Sequence, residues 1–183
     1  MIEKISHKLA VLAIEKEEIS RENYDIYKYG FVVGIELLIS IVFSILLAIS
    51  FKSVLELFLF WIIFVPLRAF AGGIHLKTFI GCFFLSMFVL LSIIGIAKYG
   101  EIELLYSNIG IACLIILIKI ISIIREKDMA EKQFFMGKLN LTLLGIIGLS
   151  VIFNFFRLDK WIALIFLTLV VETISLVCQK KSN

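Results

Sequence analysis

The stretch GFVVGIELLISIVFSILLAIS, residues 30–50, decides the fold. Its 21 residues carry one charge, Glu36. A transmembrane α-helix needs about 20 predominantly apolar residues, so this run is long enough to cross a bilayer once. Five further apolar runs follow, at 54–67, 79–97, 104–124, 139–156 and 161–178. The second is short. Pro66 and the glycines after it are expected to end it, leaving a span that thins the bilayer or is partly re-entrant. The composition agrees with the runs: 61% of the 183 residues are hydrophobic and the mean hydropathy is +1.07, whereas a soluble domain is about half apolar. The expected fold class is all-α, a polytopic integral membrane protein with six transmembrane helices plus an N-terminal amphipathic helix. It forms a single transmembrane domain over 1–183, with a cytoplasmic amphipathic segment at 1–29, a membrane region at 30–178 and a cytoplasmic tail at 179–183.

The N-terminal helix is read from Ile2, Ile5, Leu9 and Leu12, which recur at helical spacing among Glu3, Lys4, Lys8 and Glu15. Such a helix either lies on the membrane surface or packs on the rest of the protein, and the pattern leaves both open. Tyr24, Tyr27 and Tyr29 lead into the first span as interfacial aromatics do. Residues 1–29 mix acids with bases and lack a small-residue cleavage site, so no cleaved signal peptide is expected. The basic residues set the orientation. With six spans, one face carries Lys4, Lys8, Lys16, Arg21, Lys28, Arg68, Lys77, Arg125, Lys127, Lys132, Lys138, Lys180 and Lys181, thirteen in all. The other carries four: Lys52, Lys98, Arg157 and Lys160. The excess of Lys and Arg marks the cytoplasmic side, which places both termini and the loop after Arg68 on the cytoplasmic side of the cell membrane.

Several chemistries find no footing. A net charge of +3 is too small to argue for nucleic acid. Three cysteines are an odd number and all lie in apolar segments, so they form no disulfide framework. Two histidines with scattered cysteines make a poor zinc set, and there is no H-E-x-x-H. No G-x-S-x-G elbow and no phosphate-binding glycine loop is present. Neither a metal nor a cofactor is expected. Glu36, Glu56, Lys119 and Glu172 are costly in lipid and are expected to face the protein interior or an interface.

Chemistry, if the chain performs any, concentrates in Arg68-Ala69-Phe70-Ala71-Gly72-Gly73-Ile74-His75, with Cys82 seven residues on. A thiolate is the attacking species, and a nearby histidine or a helix N-terminus favours it. On one straight helix these seven residues rise about 10.5 Å, too far for a direct His75–Cys82 hydrogen bond. Gly72 and Gly73 permit backbone shapes closed to other residues, and Thr78 is a plausible N-cap. The helix would then start after His75 and hold Cys82 about one turn inside, near the positive helix end and its free amides. Arg68 would add positive charge or bind a carboxylate, and Glu36 or Glu56 is available to orient His75. The plainer reading of these residues is a small apolar cysteine and an interfacial histidine. Cys113 and Cys178 have no histidine nearby in sequence and read as packing residues, and His7 as a surface residue. The charged segment 125–138 reads as the longest cytoplasmic loop, a solvated determinant of topology or a holder of a charged peptide tail.

The pattern R-x-x-x-G-G-x-H-x6-C, in a chain of this length and apolar character, resembles the signature of the accessory gene regulator B (AgrB) family, membrane cysteine endopeptidases of bacterial quorum sensing. The resemblance implies that Cys82 is the nucleophile and His75 its general base, with Arg68, Gly72 and Gly73 supporting the site. It implies as partners the lipid bilayer and an AgrD-like precursor peptide, which has an amphipathic leader, a central signal segment and a charged C-terminal tail. The family's enzymes remove that tail and promote closure of the signal into a thiolactone or lactone ring. The resemblance also implies a homodimer. The alternative is a non-enzymatic membrane carrier or exporter of a small peptide, in which Arg68 and the intramembrane acids line a path and His75 is incidental. Loss of Cys82 separates the two, since only an endopeptidase depends on it.

Overall fold

The structure, a computed structural model, describes residues 2–15, 24–72, 79–100, 102–125 and 129–178. Every regular element among them is an α-helix: α1 (Ile2–Glu15), α2 (Tyr24–Ser50), α3 (Val54–Ala71), α4 (Phe79–Tyr99), α5 (Leu104–Arg125), α6 (Met129–Phe155) and α7 (Asp159–Cys178). The helices α2, α3, α5, α6 and α7 are long and apolar enough to cross a membrane, and α4 contributes a shorter apolar stretch, Phe83–Tyr99. Lipid offers backbone amides no partners, so a chain this apolar must satisfy them within helices. Large side chains such as Leu37, Phe58, Phe88, Ile116 and Val151 are exposed, as expected where hydrocarbon is the solvent. The chain is therefore a multi-pass membrane protein.

Two helices depart from the expected boundaries. The second span does not stop at Pro66. It runs to Ala71, which makes it 18 residues long and puts Arg68 in its last turn. Proline removes one intrahelical hydrogen bond, and here the helix continues past it until Gly72 turns the chain. The segment 125–138 is likewise not a loop over most of its length, because α6 begins at Met129. Alanine, glutamate, lysine, glutamine and methionine are all good helix formers, and charge does not prevent them from extending a span. A smaller difference lies at Tyr24, Tyr27 and Tyr29, which belong to α2 itself.

The chain falls into two compact units, Met1–Leu47 and Ala48–Asn183, the division falling within α2. In the first, the buried positions of α1 are Ser6 and Ala10, while Ile5, Leu9 and Leu12 are exposed. His7, on the surface as expected, hydrogen-bonds the Tyr24 hydroxyl through Nδ1.

In the second unit, α7 packs against α3, α4, α5 and α6. It is 56% buried, against 33% or less for the other spans, so it is the axis of the unit. Ile162, Leu164, Ile165, Leu169 and Leu176 have essentially no exposed surface. Gly110 of α5 lets the Phe166 ring of α7 approach closely: a Cβ there would lie 2.8 Å from Phe166 Cδ2. Such small-residue contacts drive helix association where lipid supplies no hydrophobic force. Between α5 and α6 the amides of Asn108 and Asn154 bond reciprocally, at 2.9 and 2.8 Å. The turns at 51–53 and 156–158 share one construction. Ser53 N–H reaches Ala48 O and Lys52 N–H reaches Ile49 O, as Leu158 N–H reaches Phe153 O and Arg157 N–H reaches Asn154 O. This double bond pattern closes a helix C-terminus, with Lys52 and Arg157 in the left-handed conformation that glycine usually takes.

Glu56, buried in the first turn of α3, forms an ion pair with Lys160 in the first turn of α7. Lys160 remains about 41% exposed. Removing one partner of a buried pair strands the other charge. Lys160→Met is expected to lower stability in detergent by about 1–3 kcal/mol, half-exposure of the lysine softening the loss, and the double variant Lys160→Met/Glu56→Leu to recover most of it. A thermal unfolding series on the purified protein checks the cycle.

Candidate functional site

The ends of α3 and α7 bring polar side chains together beside α4. Arg68 lies three residues before the end of α3, where Gly72 caps the helix at φ 93°, ψ −159°. That conformation is open essentially to glycine alone. Gly72 is thus required by the backbone where the chain leaves α3, which gives a physical content to one of the expected supporting residues. Gly73, His75 and Thr78 lie outside the described residues.

Cys82 is the fourth residue of α4, in its first turn, as the N-cap reading expects. That turn is the positive end of the helix. The side chain of Cys82 lies outside the described residues.

Leu85, Ser86 and Val89 form one wall of a cavity of about 160 Å³; Phe60, Phe64 and Arg68 of α3 and Val171, Ile174 and Ser175 of α7 form the others. The Arg68 guanidinium donates from Nη1 to Ser175 Oγ at 3.0 Å and stands 5.8 Å from the Phe64 ring centroid, a cation–π distance. Phe64 in turn stacks on Phe60 at 4.8 Å. One turn before Ser175, Glu172 has no exposed surface. Neither of its carboxylate oxygens has a hydrogen-bond partner among the described residues, and Arg68 is near enough to interact with it electrostatically. A lone carboxylate in such a place is costly; a neighbouring guanidinium offsets that cost.

The acids sort differently from the sequence expectation. Glu56, offered as an orienting group for His75, is committed to Lys160 at the opposite end of α3. Glu36 is half-buried in α2. Glu172 is the acid beside Arg68, and their separation of 104 positions hides the relation from any local reading. Lys119 is exposed rather than turned inward. Cys113 and Cys178 are also exposed, on the outer faces of their helices instead of in the packing.

A bundle of long apolar helices with an arginine and a buried acid collected at one end defines a polytopic membrane protein with an intramembrane polar site. The chain belongs to the accessory gene regulator B family, whose profile matches residues 2–176. Members act in quorum-sensing peptide processing, with an AgrD-like precursor peptide as partner. No curated protein and no solved structure matches the chain.

Because Gly72 holds a conformation closed to residues with a Cβ, Gly72→Ala is expected to strain the end of α3 by about 1–3 kcal/mol. Thermal stability of the variant in detergent, compared with Gly30→Ala at an unhindered helical position, measures this.

Proposed function

We propose that the chain is a cysteine endopeptidase that removes the C-terminal tail of an AgrD-like precursor and closes the remaining signal segment into a thiolactone or lactone. The observation that carries the reading is the start of α4 at Phe79, which sets Cys82 in the first turn of that helix, together with Arg68 in the last turn of α3. Family membership over residues 2–176 supports the substrate class. The basic residues, thirteen on one face against four on the other, support cytoplasmic termini and a site at the cytoplasmic face of a six-span protein.

The chemistry follows from the residue types. His75 takes the Cys82 proton, and Sγ attacks the carbonyl carbon of the peptide bond before the tail. The positive end of α4 and the Arg68 guanidinium stabilise the oxyanion. The C–N bond breaks as the His75 imidazolium protonates the leaving amine, and the tail departs. The signal segment remains as a thioester on Sγ. A cysteine thiol or serine hydroxyl of the bound peptide then loses its proton to His75 and attacks the thioester carbonyl. The bond to Sγ breaks, the ring closes, and Cys82 regains a proton. Ring closure outruns hydrolysis only where water is scarce, and a site walled by Phe60, Phe64, Leu85 and Val89 excludes water. Glu172 holds the charge of Arg68 in place at this end of α3 and α7.

Co-expression with an AgrD-like precursor tests the assignment. Wild type is expected to shorten the precursor by its tail. Cys82→Ala and His75→Ala should each reduce cleavage at least about a thousandfold while the protein still accumulates in the membrane. Hydroxylamine added to wild type should release the signal segment as a hydroxamate, the mark of a thioester. Equal cleavage by Cys82→Ala would leave the carrier reading in its place.

A further inference from the structure

We infer that the open flank between α5 and α6 is a phospholipid site, in which Lys119 and Asn140 hold the phosphate of an anionic glycerophospholipid while its acyl chains lie along the two helices. The inference is independent of the endopeptidase reading. Three observations carry it.

The first is an open groove. Residues 126–128 join the end of α5 to the start of α6, and the Asn108 and Asn154 amides fasten the two helices far from that connection, so α5 and α6 run in opposite directions. Ala112 and Lys119 share the flank of α5 that carries Asn108, and Ile147 and Asn140 the flank of α6 that carries Asn154, each within about 40° of it. Beyond the asparagine pair these flanks do not stay covered. Ala112, Lys119 and Ile147 are exposed and Asn140 is half-buried. The helices therefore part toward the end that carries Lys119 and Asn140.

The second is an unanswered charge. Lys119 lies inside a span, six residues before the end of α5, or about 9 Å. Its ammonium has no acid and no hydrogen-bond acceptor among the described residues, and the Asn140 amide has no partner among them. Measured from the asparagine pair, Lys119 stands about 16.5 Å along α5 and Asn140 about 21 Å along α6, so both reach a similar depth. An ammonium in hydrocarbon is costly unless it meets an anion, and the lysine stem is long enough to carry it toward the interface.

The third is the surrounding surface. The exposed neighbours along the two helices are Ile116, Ile123, Leu144 and Ile147, which offer hydrocarbon and nothing polar. A ligand that satisfies both features has one anionic head and apolar chains. A zwitterionic headgroup would bring its own ammonium, and the described residues of the groove hold no acid to receive it. An anionic headgroup of the phosphatidylglycerol kind needs none: its phosphate accepts from Lys119 Nζ and Asn140 Nδ2. Basic sites between transmembrane helices bind anionic headgroups on this principle.

Native mass spectrometry of the full-length protein in detergent, offered equimolar dioleoyl phosphatidylglycerol and dioleoyl phosphatidylcholine, reads the bound lipid directly. The phosphatidylglycerol adduct is expected at least about fivefold above the phosphatidylcholine adduct, the preference that one lysine supports at a membrane surface. Lys119→Leu, which sets an apolar residue against lipid and leaves the fold undisturbed, should bring the two adducts to parity. Lys119→Arg should keep the preference, and Asn140→Leu should lower it part-way. Equal adducts on the wild type overturn the site. A preference that survives Lys119→Leu also overturns it, since the lipid is then bound elsewhere, and one untouched by Asn140→Leu takes the headgroup out of the groove. A wild type without preference, whose oligomer falls apart on Lys119→Leu, overturns the lipid and assigns the lysine to a second copy of the chain.

Discussion

The second unit depends on α3 and α7 being held side by side with the same direction. Two polar contacts set this. Glu56 and Lys160 join the helices at their starts, and Arg68 and Ser175 join them near their ends. The contacts are separated by about 18 Å along α3 and about 22 Å along α7 at the helical rise, so they fix register as well as proximity. Apolar packing alone discriminates poorly between neighbouring registers in lipid, because leucine against leucine resembles leucine against an acyl chain. A charge that must find its partner has one acceptable answer. The site inherits its geometry from that answer: Arg68, Glu172 and Ser175 come together because the far ends are already aligned.

The unit is therefore divided along its length. Its middle is the buried column of α7, from Ile162 to Leu176. At one end Lys98, Glu103, Asp159 and Lys160 surround an open cleft of about 500 Å³, where Lys98 also donates to Phe51 O at 2.8 Å. At the other, the cavity beside Arg68 is smaller and nearly all apolar. The first is a mouth suited to water and mobile charge. The second suits a reaction in which water is the competing nucleophile.

Much of this arrangement is legible in the chain itself. The apolar runs announce each helix, since lipid leaves the backbone no other choice, and Cys82, four positions after Thr78, already falls in a first turn. The motif around Arg68 and His75 identifies the family, as the match over residues 2–176 bears out. What escapes a linear reading is what depends on a partner far along the chain. Pro66 looks like a stop because its penalty is local, whereas the continuation to Ala71 draws on packing with α7. The charges of 129–138 look like a loop, although their residue types favour helix. Glu172 looks like one of four costly intramembrane charges, and only the approach of α7 to α3 gives it a neighbour. Cys113 and Cys178 fail in the opposite sense: a helix period predicts that some face is buried, but not which.

The Asn108–Asn154 pair closes α5 against α6 with two amides and no charge. Primary amides neither gain nor lose protons over any range a cell meets, and a neutral contact is not weakened by dissolved ions. Glu56–Lys160 is open to dissolved ions through its half-exposed lysine. The unit thus has one fastening that ionic strength weakens and another that ignores it, so in brine α5 and α6 keep their register while the α3–α7 contact bears the change.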